Sequence, residues 1–234
     1  MTDLEYLKKY LPSDKLDWGT KELEKGMPVQ YIVGNVDFYN SNILVNKDVL
    51  IPRFETELLV DKVINILKKD FVGDIKILDL CTGSGCIAIA LSKAGYNVMG
   101  SDISHKALLV ANDNNKRNKT NVNFIESDMF NNINQKYDVI ISNPPYIGKN
   151  DYVMDIVKNN EPSLALFADD NGLEFYKIIL NDAKEYLNNH YLIALELGDH
   201  PEEVYDLAKK EYPKANISLE EDLQGIKRYL LIME

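Results

Sequence analysis

Residues 75–89 read IKILDLCTGSGCIAI, an apolar run that passes through two glycines into a second apolar run. We predict a buried strand over 75–80 and a helix over 86–94. Gly83 and Gly85 allow a tight turn between the two and let a ligand approach the backbone closely. The stretch therefore predicts a strand, a loop, and a helix whose free N–H groups face the loop.

Strands and helices alternate regularly downstream of this loop. Apolar runs predict further strands over 97–101, 122–127, 137–142, 191–197, 217–220 and 228–233. Helical periodicity predicts helices over 104–115, 173–187 and 201–210. Such alternation is typical of an α/β fold with a doubly wound, mostly parallel sheet, and such sheets bind ligands outside the carboxyl ends of their strands.

The chain upstream of the sheet shows two further sequence patterns. The first 25 residues predict one or two short helices, the first of them capped by Thr2 or Asp3. Residues 36–49 alternate apolar and polar side chains around a Tyr-Asn-Ser-Asn turn, which predicts a β-hairpin. We therefore divide the chain into a helical segment at 1–25, a hairpin linker and lid at 26–54, and a large domain at 55–234.

The chain of 234 residues is acidic, with a net charge of −11 and a pI near 4.8. An acidic surface repels phosphate backbones, so we expect no stable nucleic-acid binding. The two cysteines, Cys81 and Cys86, cannot form a zinc site from thiolates alone; we predict no metal site and expect reduced thiols in a cytoplasmic protein. We expect no membrane span, since no apolar run is long enough, and the first ten residues lack a signal-peptide core.

An acidic residue, Asp102, ends the strand that follows the glycine loop. A carboxylate there can accept hydrogen bonds from both hydroxyls of a ribose, which favours a nucleotide-like ligand over a bare turn. The spacing Gly83-x-Gly85-x-x-Ala88 also matches the dinucleotide fingerprint of a dehydrogenase. Asp79 favours a different ligand, because its carboxylate suits the cationic amino-acid portion of a cofactor and would repel a pyrophosphate.

The motif Asn143-Pro144-Pro145-Tyr146 follows the predicted strand at 137–142. The prolines stiffen the backbone and remove two N–H donors, which leaves the Asn143 side-chain oxygen and the Pro144 carbonyl as acceptors. Two acceptors at a fixed spacing suit a planar –NH₂ group, and Tyr146 can lie against its flat face. The motif alone fits an amide or a nucleobase amine equally well, and a rigid proline turn without a ligand is a further alternative.

Such a site suits methyl transfer from a sulfonium. An amide nitrogen is a poor nucleophile because its lone pair is delocalised into the carbonyl. Neutral acceptors that hold both hydrogens point the lone pair at the methyl carbon and stabilise the positive charge that develops on nitrogen. No strong general base is needed, and we expect the histidines at 105, 190 and 200 to be polar surface residues.

The chain resembles the PrmC/HemK family of S-adenosylmethionine-dependent methyltransferases over roughly residues 24–233. The matching motifs are Gly26 to Gly34, Val49 to Glu57, Asp79 to Ile89, Asn143 to Tyr146, Glu161-Pro162, Asn171 to Tyr176, Glu196 to Gly198 and Asp222 to Gly225. The Gln30-Tyr31-Ile32 and Pro52-Arg53-x-x-Thr56-Glu57 segments distinguish this family from other amino-methyltransferases. The resemblance implies a Rossmann-like class I fold and methylation of the glutamine amide in the Gly-Gly-Gln motif of peptide-chain release factors, the expected protein partner.

The resemblance also implies a role for each motif. The residues expected to bind S-adenosylmethionine are Asp79, Cys81, Thr82, Gly83, Ser84, Gly85, Asp102 at the ribose, Met129 at the adenine, and Asn143. The residues expected to bind the substrate amide are Asn143, Pro144, Pro145 and Tyr146, with catalysis assigned to Asn143, Pro144 and Tyr146. Arg53, Glu55 and Thr56 would form part of a lid near the cofactor or, alternatively, a salt-bridged helix start.

Two features depart from the family. Cys81 stands where a glycine is usual, which implies either that φ need not be positive there or that the loop tolerates slight strain. About 25 residues precede Gly26-x-Pro28, so the helical N-terminal segment is reduced.

A long connection over 147–170 follows the Asn-Pro-Pro-Tyr motif directly. Connections of this length in a compact domain are usually functional or disordered. We expect this one to close over the substrate glutamine, with Val153 and Ile156 in a short helix.

Three other functions remain open on the sequence. An adenine N6 or cytosine N4 methyltransferase would use the same motif on a flipped base, but the acidic charge and the lack of a recognisable target-recognition domain count against it. A nicotinamide-dependent oxidoreductase would leave the Asn-Pro-Pro-Tyr motif without a role. A non-catalytic cofactor-binding module is the third, and the intact motifs from Asp79 to Tyr146 argue against it.

Overall fold

The computed structural model describes residues 2–234. Three short helices come first: α1 (Asp3–Tyr10), α2 (Leu16–Glu24) and α3 (Val29–Val33), with a 3₁₀ turn at Ser13–Lys15. Thr2 caps α1 in a capping box with Glu5. The α3 helix was not expected, because five residues are too few to show a helical period. These helices share a small core around Leu7 and Ile32.

A hairpin follows, with strands β1 (Asn35–Phe38) and β2 (Ser41–Leu44) in antiparallel register. Its two turn residues, Tyr39 and Asn40, have φ of 41° and 60°, the left-handed conformation that tight hairpin turns require. The second strand ends at residue 44 rather than at the predicted 49, since its partner strand begins only after α3. The long helix α4 (Phe54–Asp70) then leads to the sheet.

The rest of the chain builds one central sheet and the helices that cover it. The further strands are β3 (Lys76–Leu80), β4 (Asn97–Asp102), β5 (Asn123–Glu126), β6 (Tyr137–Ser142), β7 (Ile147–Gly148), β8 (Phe167–Ala168), β9 (Leu187–Glu196), β10 (Asn216–Glu221) and β11 (Lys227–Met233). The further helices are α5 (Cys86–Lys93), α6 (His105–Asn118), α7 (Asp155–Asn160), α8 (Ser163–Leu166), α9 (Glu174–Asp182) and α10 (Pro201–Glu211), with 3₁₀ turns at Asp170–Gly172 and Ala183–Tyr186.

Seven strands form the central sheet, in the order β10-β11-β9-β6-β3-β4-β5. Neighbours from β9 to β5 are parallel, whereas β11 is antiparallel to both of its neighbours. The chain leaves β3 toward β4 and later returns to β6 on the other side of β3. The prediction of an α/β fold with a doubly wound, mostly parallel sheet is confirmed, and the reversal at β3 and β6 is where such folds bind ligands.

Helices cover both faces of the sheet. One face packs against α4, α5 and the hairpin, in a core that contains Val63 and Ile141. The other packs against α9 and α10, in a core that contains Ile140 and Ile179. Successive residues of β6 thus point into opposite cores, which explains why its sequence is apolar throughout rather than alternating.

The predicted helix over 173–187 is wrong in its last third. The α9 helix ends at Asp182, a 3₁₀ turn carries the chain to Tyr186, and β9 begins at Leu187 rather than at 191. Leu187 pairs with Tyr137 of β6, so it is buried as part of a strand and not on a helix face. The spacing of apolar residues is the same in both cases and could not distinguish them.

The connection at 147–170 is folded. It contains the short parallel pair β7 and β8, and between them the helices α7 and α8. Ile156 lies in α7 as predicted, whereas Val153 precedes that helix.

Two kinds of feature are absent from residues 2–234. No helix there is long and apolar enough to cross a membrane. Over the same residues, no three His, Cys, Asp or Glu side chains are grouped so that they could hold a metal ion.

Candidate active site

The glycine loop and the Asn-Pro-Pro-Tyr motif leave adjacent strands at the same edge of the sheet. Leu80, the last residue of β3, is in register with Ser142, the last residue of β6. The Ser142 hydroxyl donates a hydrogen bond of 2.6 Å to the Leu80 carbonyl. This bond joins the two strand ends, so the two motifs meet where the strand order reverses.

A cavity of about 330 Å³ lies between these loops, a volume typical of small-molecule sites. The predicted site residues that line it are Cys81, Thr82, Gly83, Ser84, Asp102, Met129, Asn143 and Pro145. The predicted site residues that do not line it are Asp79, Gly85, Pro144 and Tyr146. The structure therefore brings most of the predicted cofactor and substrate residues to one cavity, and the other four are not part of its lining.

The Asp102 carboxylate is held by the backbone of two loops. The Gly83 N–H donates to Oδ2 and the Ser104 N–H donates to Oδ1, both at 2.8 Å. Burial raises the pKa of Asp102, and these hydrogen bonds oppose the rise. Each oxygen keeps a further lone pair, so the carboxylate can also accept from two ligand hydroxyls.

Asp79 lies beneath the glycine loop and is fully buried. Its Oδ2 accepts hydrogen bonds from the Thr82 hydroxyl at 2.5 Å and from the Ala88 N–H at 3.1 Å. Burial raises the pKa of Asp79 to about 7, and Oδ1 has no partner among the described residues. The carboxylate therefore fastens the loop to α5; a contact with a cationic ligand stays a prediction.

The two glycines of the loop have different surroundings. Both have positive φ, 53° at Gly83 and 79° at Gly85. A Cβ on Gly85 would lie 2.8 Å from Phe124, so packing requires a glycine there. Nothing lies within 4 Å of the corresponding position on Gly83, which lines the cavity, so a ligand can approach that backbone closely.

Cys81 has a φ of 62°, in the left-handed region. The alternative that φ need not be positive there is wrong: the loop keeps a glycine-like conformation and bears the strain of a side chain. Met129 also has a positive φ, 46°, and its sulfur lies 3.9 Å from that of Cys81. Burial raises the pKa of the Cys81 thiol, so this thiol stays neutral and packs as a small apolar group.

Asn143 is oriented by two buried side chains. Its Nδ2 donates to Thr56 Oγ1 at 3.2 Å, and the Thr56 hydroxyl donates to Glu196 Oε2 at 2.7 Å. Burial raises the pKa of Glu196 to about 7. Because Nδ2 donates to Thr56, Oδ1 is the end of the Asn143 amide left to accept a hydrogen bond from a ligand.

Tyr146 is packed tightly beside Asn143. A Cβ on Gly198 would lie 2.5 Å from the Tyr146 ring, and one on Gly172 would overlap the Tyr146 carbonyl. Burial raises the pKa of the Tyr146 hydroxyl. The absence of a side chain at Gly198 thus makes room for the Tyr146 ring, and its absence at Gly172 makes room for the Tyr146 backbone.

The segment around Arg53 is fastened to the 147–170 connection. The Arg53 guanidinium donates to Glu161 Oε1 at 2.5 Å, and the Ile51 N–H donates to Glu161 Oε2 at 3.0 Å. Arg53 and Thr56 line the cavity, whereas Glu55 does not. Arg53 thus fits both alternatives, since it is salt-bridged at a helix start and also forms part of the cavity wall; its action as a lid stays a prediction.

The wall also contains residues for which the sequence predicted no role in the site. Pro162, Leu164 and Ala165, in and beside α8, line the cavity, and Leu164 is largely exposed. Pro162 belongs to the Glu161-Pro162 motif that matches the family, but no site role was predicted for it, and Leu164 and Ala165 lie in a segment without clear periodicity. Ser101 also lines the cavity, and its buried hydroxyl has no partner among the described residues. Its place at the end of a predicted strand could have identified it.

The three histidines do not line the cavity. His105 pairs with Glu126 and His200 with Glu203, each at 3.0 Å. His190 lies within hydrogen-bond distance of two backbone carbonyls. They occupy surface positions, as expected.

Comparison with known proteins identifies the family. Residues 55–164 match the model of a family described as Methyltransferase small domain. The chain is similar to the release factor glutamine methyltransferase of Streptococcus pneumoniae, at 40% identity over 217 residues that cover 91% of this chain and 77% of that protein. It is also similar to the protein of the same name from Mycoplasma mycoides, at 43% identity over 195 residues that cover 79% of this chain and 68% of that protein.

Two solved structures are also similar to this chain. A release-factor-specific protein-(glutamine-N5) methyltransferase from Alicyclobacillus acidocaldarius is 26% identical with a TM-score of 0.50, and the match covers 81% of this chain and 97% of that one. A methyltransferase from Pyrococcus furiosus, 22% identical with a TM-score of 0.59 over 82% of this chain and 87% of that one, supports the fold alone. The resemblance that the motifs indicate is confirmed, and the chain belongs to the family of release factor glutamine methyltransferases.

Proposed function

We propose that this protein transfers a methyl group from S-adenosylmethionine to the side-chain amide nitrogen of the glutamine in the Gly-Gly-Gln motif of peptide-chain release factors. The observation that carries the proposal is the oriented Asn143 amide in the wall of a small-molecule cavity. Membership of the family supports the reaction and the substrate class. It counts against a nucleobase methyltransferase, an oxidoreductase and a non-catalytic module.

The cavity walls fit S-adenosylmethionine. The backbone of Gly83 is open to a ligand, the Asp102 carboxylate has lone pairs for two ribose hydroxyls, and the Met129 side chain offers an apolar surface to a flat ring. Cys81, Thr82 and Ser84 complete the wall, while Asp79 and Gly85 support the loop from behind. When bound, this cofactor supplies a methyl group on a positively charged sulfur.

The chain's own part in the reaction is to bind and orient the amide. The Asn143 Oδ1 in the cavity wall accepts one amide hydrogen, and we propose the carbonyl of Pro144, the next residue along the chain and not itself part of the lining, as the acceptor for the other. Together they hold the nitrogen lone pair toward the methyl carbon. Both acceptors are neutral oxygens, which favours the positive charge that develops on the attacking nitrogen. Pro145 in the wall and Tyr146 beside it limit the positions that the amide plane can adopt.

Apolar side chains around α8 and α9 limit the access of water to the amide. Leu164, Ala165 and Phe175 line the cavity on that side. A wall of this kind strengthens the hydrogen bonds that hold the amide, because electrostatic interactions gain strength when water is excluded. We propose that the 147–170 connection closes over the substrate glutamine, with Arg53 and Thr56 as part of the lid.

The cellular setting is part of the proposal. The two neutral, reduced thiols and the absence of a membrane-spanning helix within residues 2–234 fit a cytoplasmic enzyme. We propose that residues 55–234 carry the catalytic domain and that 26–54 link and cover it, preceded by a helical segment at 1–25. The partner is a release factor, and the net charge of −11 disfavours stable nucleic-acid binding.

Labelled S-adenosylmethionine tests this function directly. The protein is incubated with the labelled cofactor and, in parallel, with a bacterial release factor, DNA and RNA. We expect label on the Gly-Gly-Gln peptide of the release factor and none on the nucleic acids. Label on nucleic acid alone would overturn the proposal.

Asn143→Ala tests the role of the amide within the site. We expect loss of methyl transfer with the cofactor dissociation constant raised by no more than about tenfold, since one neutral hydrogen bond contributes about 0.5–1.5 kcal/mol. Asn65→Ala is a matched control, because Asn65 is on α4 outside the cavity and, within residues 2–234, its side chain bonds only Asp61. Equal loss of cofactor binding and transfer in Asn143→Ala would show that Asn143 serves the cofactor instead.

A further inference from the structure

A chain of hydrogen bonds links the Asn143 amide to a buried carboxylate. Asn143 follows β6, Thr56 lies in the first turn of α4, and Glu196 ends β9, so three separate elements contribute to it. The distances are 3.2 Å from Asn143 Nδ2 to Thr56 Oγ1 and 2.7 Å from Thr56 Oγ1 to Glu196 Oε2. Thr56 is 2% exposed and Glu196 is 1% exposed, so water does not compete for these bonds.

The donor and acceptor roles in these two hydrogen bonds depend on whether Glu196 is ionised. An ionised carboxylate can only accept hydrogen bonds, so the Thr56 hydroxyl must give its single proton to Glu196. Thr56 Oγ1 can then only accept from Asn143, and this requires the NH₂ end of the amide. If Glu196 is protonated, it can donate to Thr56, whose hydroxyl proton is then free to bond the oxygen end of Asn143 instead.

The backbone around Glu196 is fixed on both sides. The Tyr176 hydroxyl donates to the Glu196 carbonyl at 2.9 Å and accepts from the Gly198 N–H at 3.2 Å. Tyr229 of β11 is in register with Glu196 across the sheet. The backbone that carries this carboxylate is therefore held in place next to Thr56.

From this geometry we infer that Thr56 and Glu196 are positioning residues for methyl transfer: an ionised Glu196, acting through Thr56, holds the Asn143 amide with its oxygen toward the substrate –NH₂ group. The inference rests on the proposed function. Without this orientation the NH₂ end of Asn143 would face the substrate –NH₂ group, donor against donor. The substrate nitrogen would then lose one of the two acceptors that hold it.

Ionisation of Glu196 falls within the range where an enzyme is assayed. Burial raises the pKa of Glu196 to about 7, whereas the Thr56 hydrogen bond and the charges of Arg228 and Arg53 lower it, and Glu55 raises it further. The hydroxyls of Tyr146, Tyr176 and Tyr229 also face this carboxylate. With a pKa of about 7 the ionised fraction rises about tenfold between pH 6 and pH 8, and kcat should rise with it.

Variants of Thr56 separate orientation from structure. Thr56→Val keeps the shape but cannot relay a hydrogen bond, and we expect kcat to fall about 10- to 100-fold while the KM for S-adenosylmethionine stays within about threefold. Thr56→Ser retains the hydroxyl, and we expect its kcat within about threefold of wild type. Cofactor binding and thermal unfolding of each variant show that it is folded.

Glu196→Gln tests the ionisation. A glutamine has nearly the same shape and does not titrate, so we expect the rise of kcat between pH 6 and pH 8 to disappear. The variant leaves the charged and phenolic neighbours of residue 196, and Asp79, unchanged. A difference from wild type in the pH dependence of kcat is therefore due to residue 196 alone.

The outcomes are distinct. A wild-type protein that does not methylate the release factor overturns the proposed function and this inference together. A wild type that does, with Thr56→Val no slower than Thr56→Ser or with the pH dependence intact in Glu196→Gln, overturns the inference alone.

Discussion

The Tyr146 ring lies directly against Gly198, with no space for a side chain between them: a Cβ on residue 198 would be 2.5 Å from Cδ2 of the ring. Tyr146 follows the short loop after β6, and Gly198 follows the neighbouring strand β9. The contact therefore joins the ends of two adjacent strands. Residue 198 is a glycine because any side chain there would clash with the Tyr146 ring.

We expect Gly198→Ala to displace Tyr146 and to lower kcat by a factor of about ten or more. The cofactor dissociation constant should change by less than about threefold. An added methyl in a tight site typically costs about 1–3 kcal/mol, and a shift of about 1 Å near the reacting atoms can slow a reaction about 100-fold. Steady-state kinetics on the release factor and calorimetric titration of the cofactor measure the two effects.

Gly73→Ala is the control for this prediction. Gly73 has a φ of 94° and open space around it, so an alanine there adds backbone strain without a clash. It should lower the free energy of unfolding by about 1 kcal/mol and leave kcat unchanged. A similar loss of kcat in both variants would show that lowered stability, and not the position of Tyr146, is responsible.

The sheet and its two loops could be predicted because their signals are local. Apolar runs such as that around Ile77 identify strands buried on both faces, and polar residues such as Asp102 and Asn143 are conspicuous where such runs end. Since parallel strands end at one edge, these residues had to lie near each other.

Contacts between distant residues gave no such signal. Thr56 meets Glu196 across 140 positions of the chain, and Arg53 meets Glu161 across 108. A hydroxyl or a carboxylate in a sequence does not identify its partner, so the orientation of the Asn143 amide could only be read from the fold. The backbone angle of Cys81 was undetermined for a similar reason, because the loop as a whole decides it.

The stability of the cofactor-free protein should depend on pH through Asp79. Its pKa is about 7 in the folded protein and near 4 in an unfolded chain, so the folded state binds this proton more tightly. Its contribution to stability is complete below about pH 4 and is lost as the pH rises through about 7. Asp79→Asn does not ionise, so the unfolding free energy of wild type minus that of the variant should fall between pH 4.5 and pH 7.5.

Urea unfolding at the two pH values measures this difference, and the repulsion among the other acidic residues cancels in the comparison. A difference that stays constant or rises would mean that the Thr82 hydroxyl and the Ala88 N–H stabilise the ionised carboxylate more than burial destabilises it.

Removal of the Arg53 guanidinium should loosen the connection that lines the cavity. Glu161 is 5% exposed, and in Arg53→Met it keeps only the Ile51 N–H as a partner. We expect a cost of about 1–3 kcal/mol, less than for a fully buried pair because the arginine is one-third exposed. Amide hydrogen exchange in α7 and α8 should become faster, since Glu161 lies between them.

Lys62→Met is a matched control for Arg53→Met. Lys62 pairs with Glu220 at 2.6 Å, with both side chains about one-third exposed, outside the cavity lining. A pair of this kind contributes less than about 1 kcal/mol. Equal acceleration of exchange in α7 and α8 by both variants would mean that the Arg53 pair has no special role in holding the connection.

Asn114 joins the hairpin to the glycine loop. It is fully buried; its Nδ2 donates to the carbonyls of Leu44 and Ser84, each at 3.0 Å, and its Oδ1 accepts from the Leu44 N–H at 2.6 Å. Asn118, one turn later on α6, makes the equivalent pair of bonds to the backbone of Asn42, at 2.9 and 3.2 Å, but none to the glycine loop. Both asparagines thus bind the same hairpin, and Asn114 also bonds the glycine loop.

This difference predicts different effects on the cofactor. Asn114→Ala and Asn118→Ala each leave backbone groups of the hairpin without partners, so both should lower the unfolding free energy by about 1–3 kcal/mol. Asn114→Ala also frees the Ser84 carbonyl, and we expect it alone to raise the dissociation constant of S-adenosylmethionine, by about tenfold. Calorimetric titration of both variants measures the effect. If Asn118→Ala weakens the cofactor as much, the glycine loop depends on the hairpin as a whole and not on the bond from Asn114.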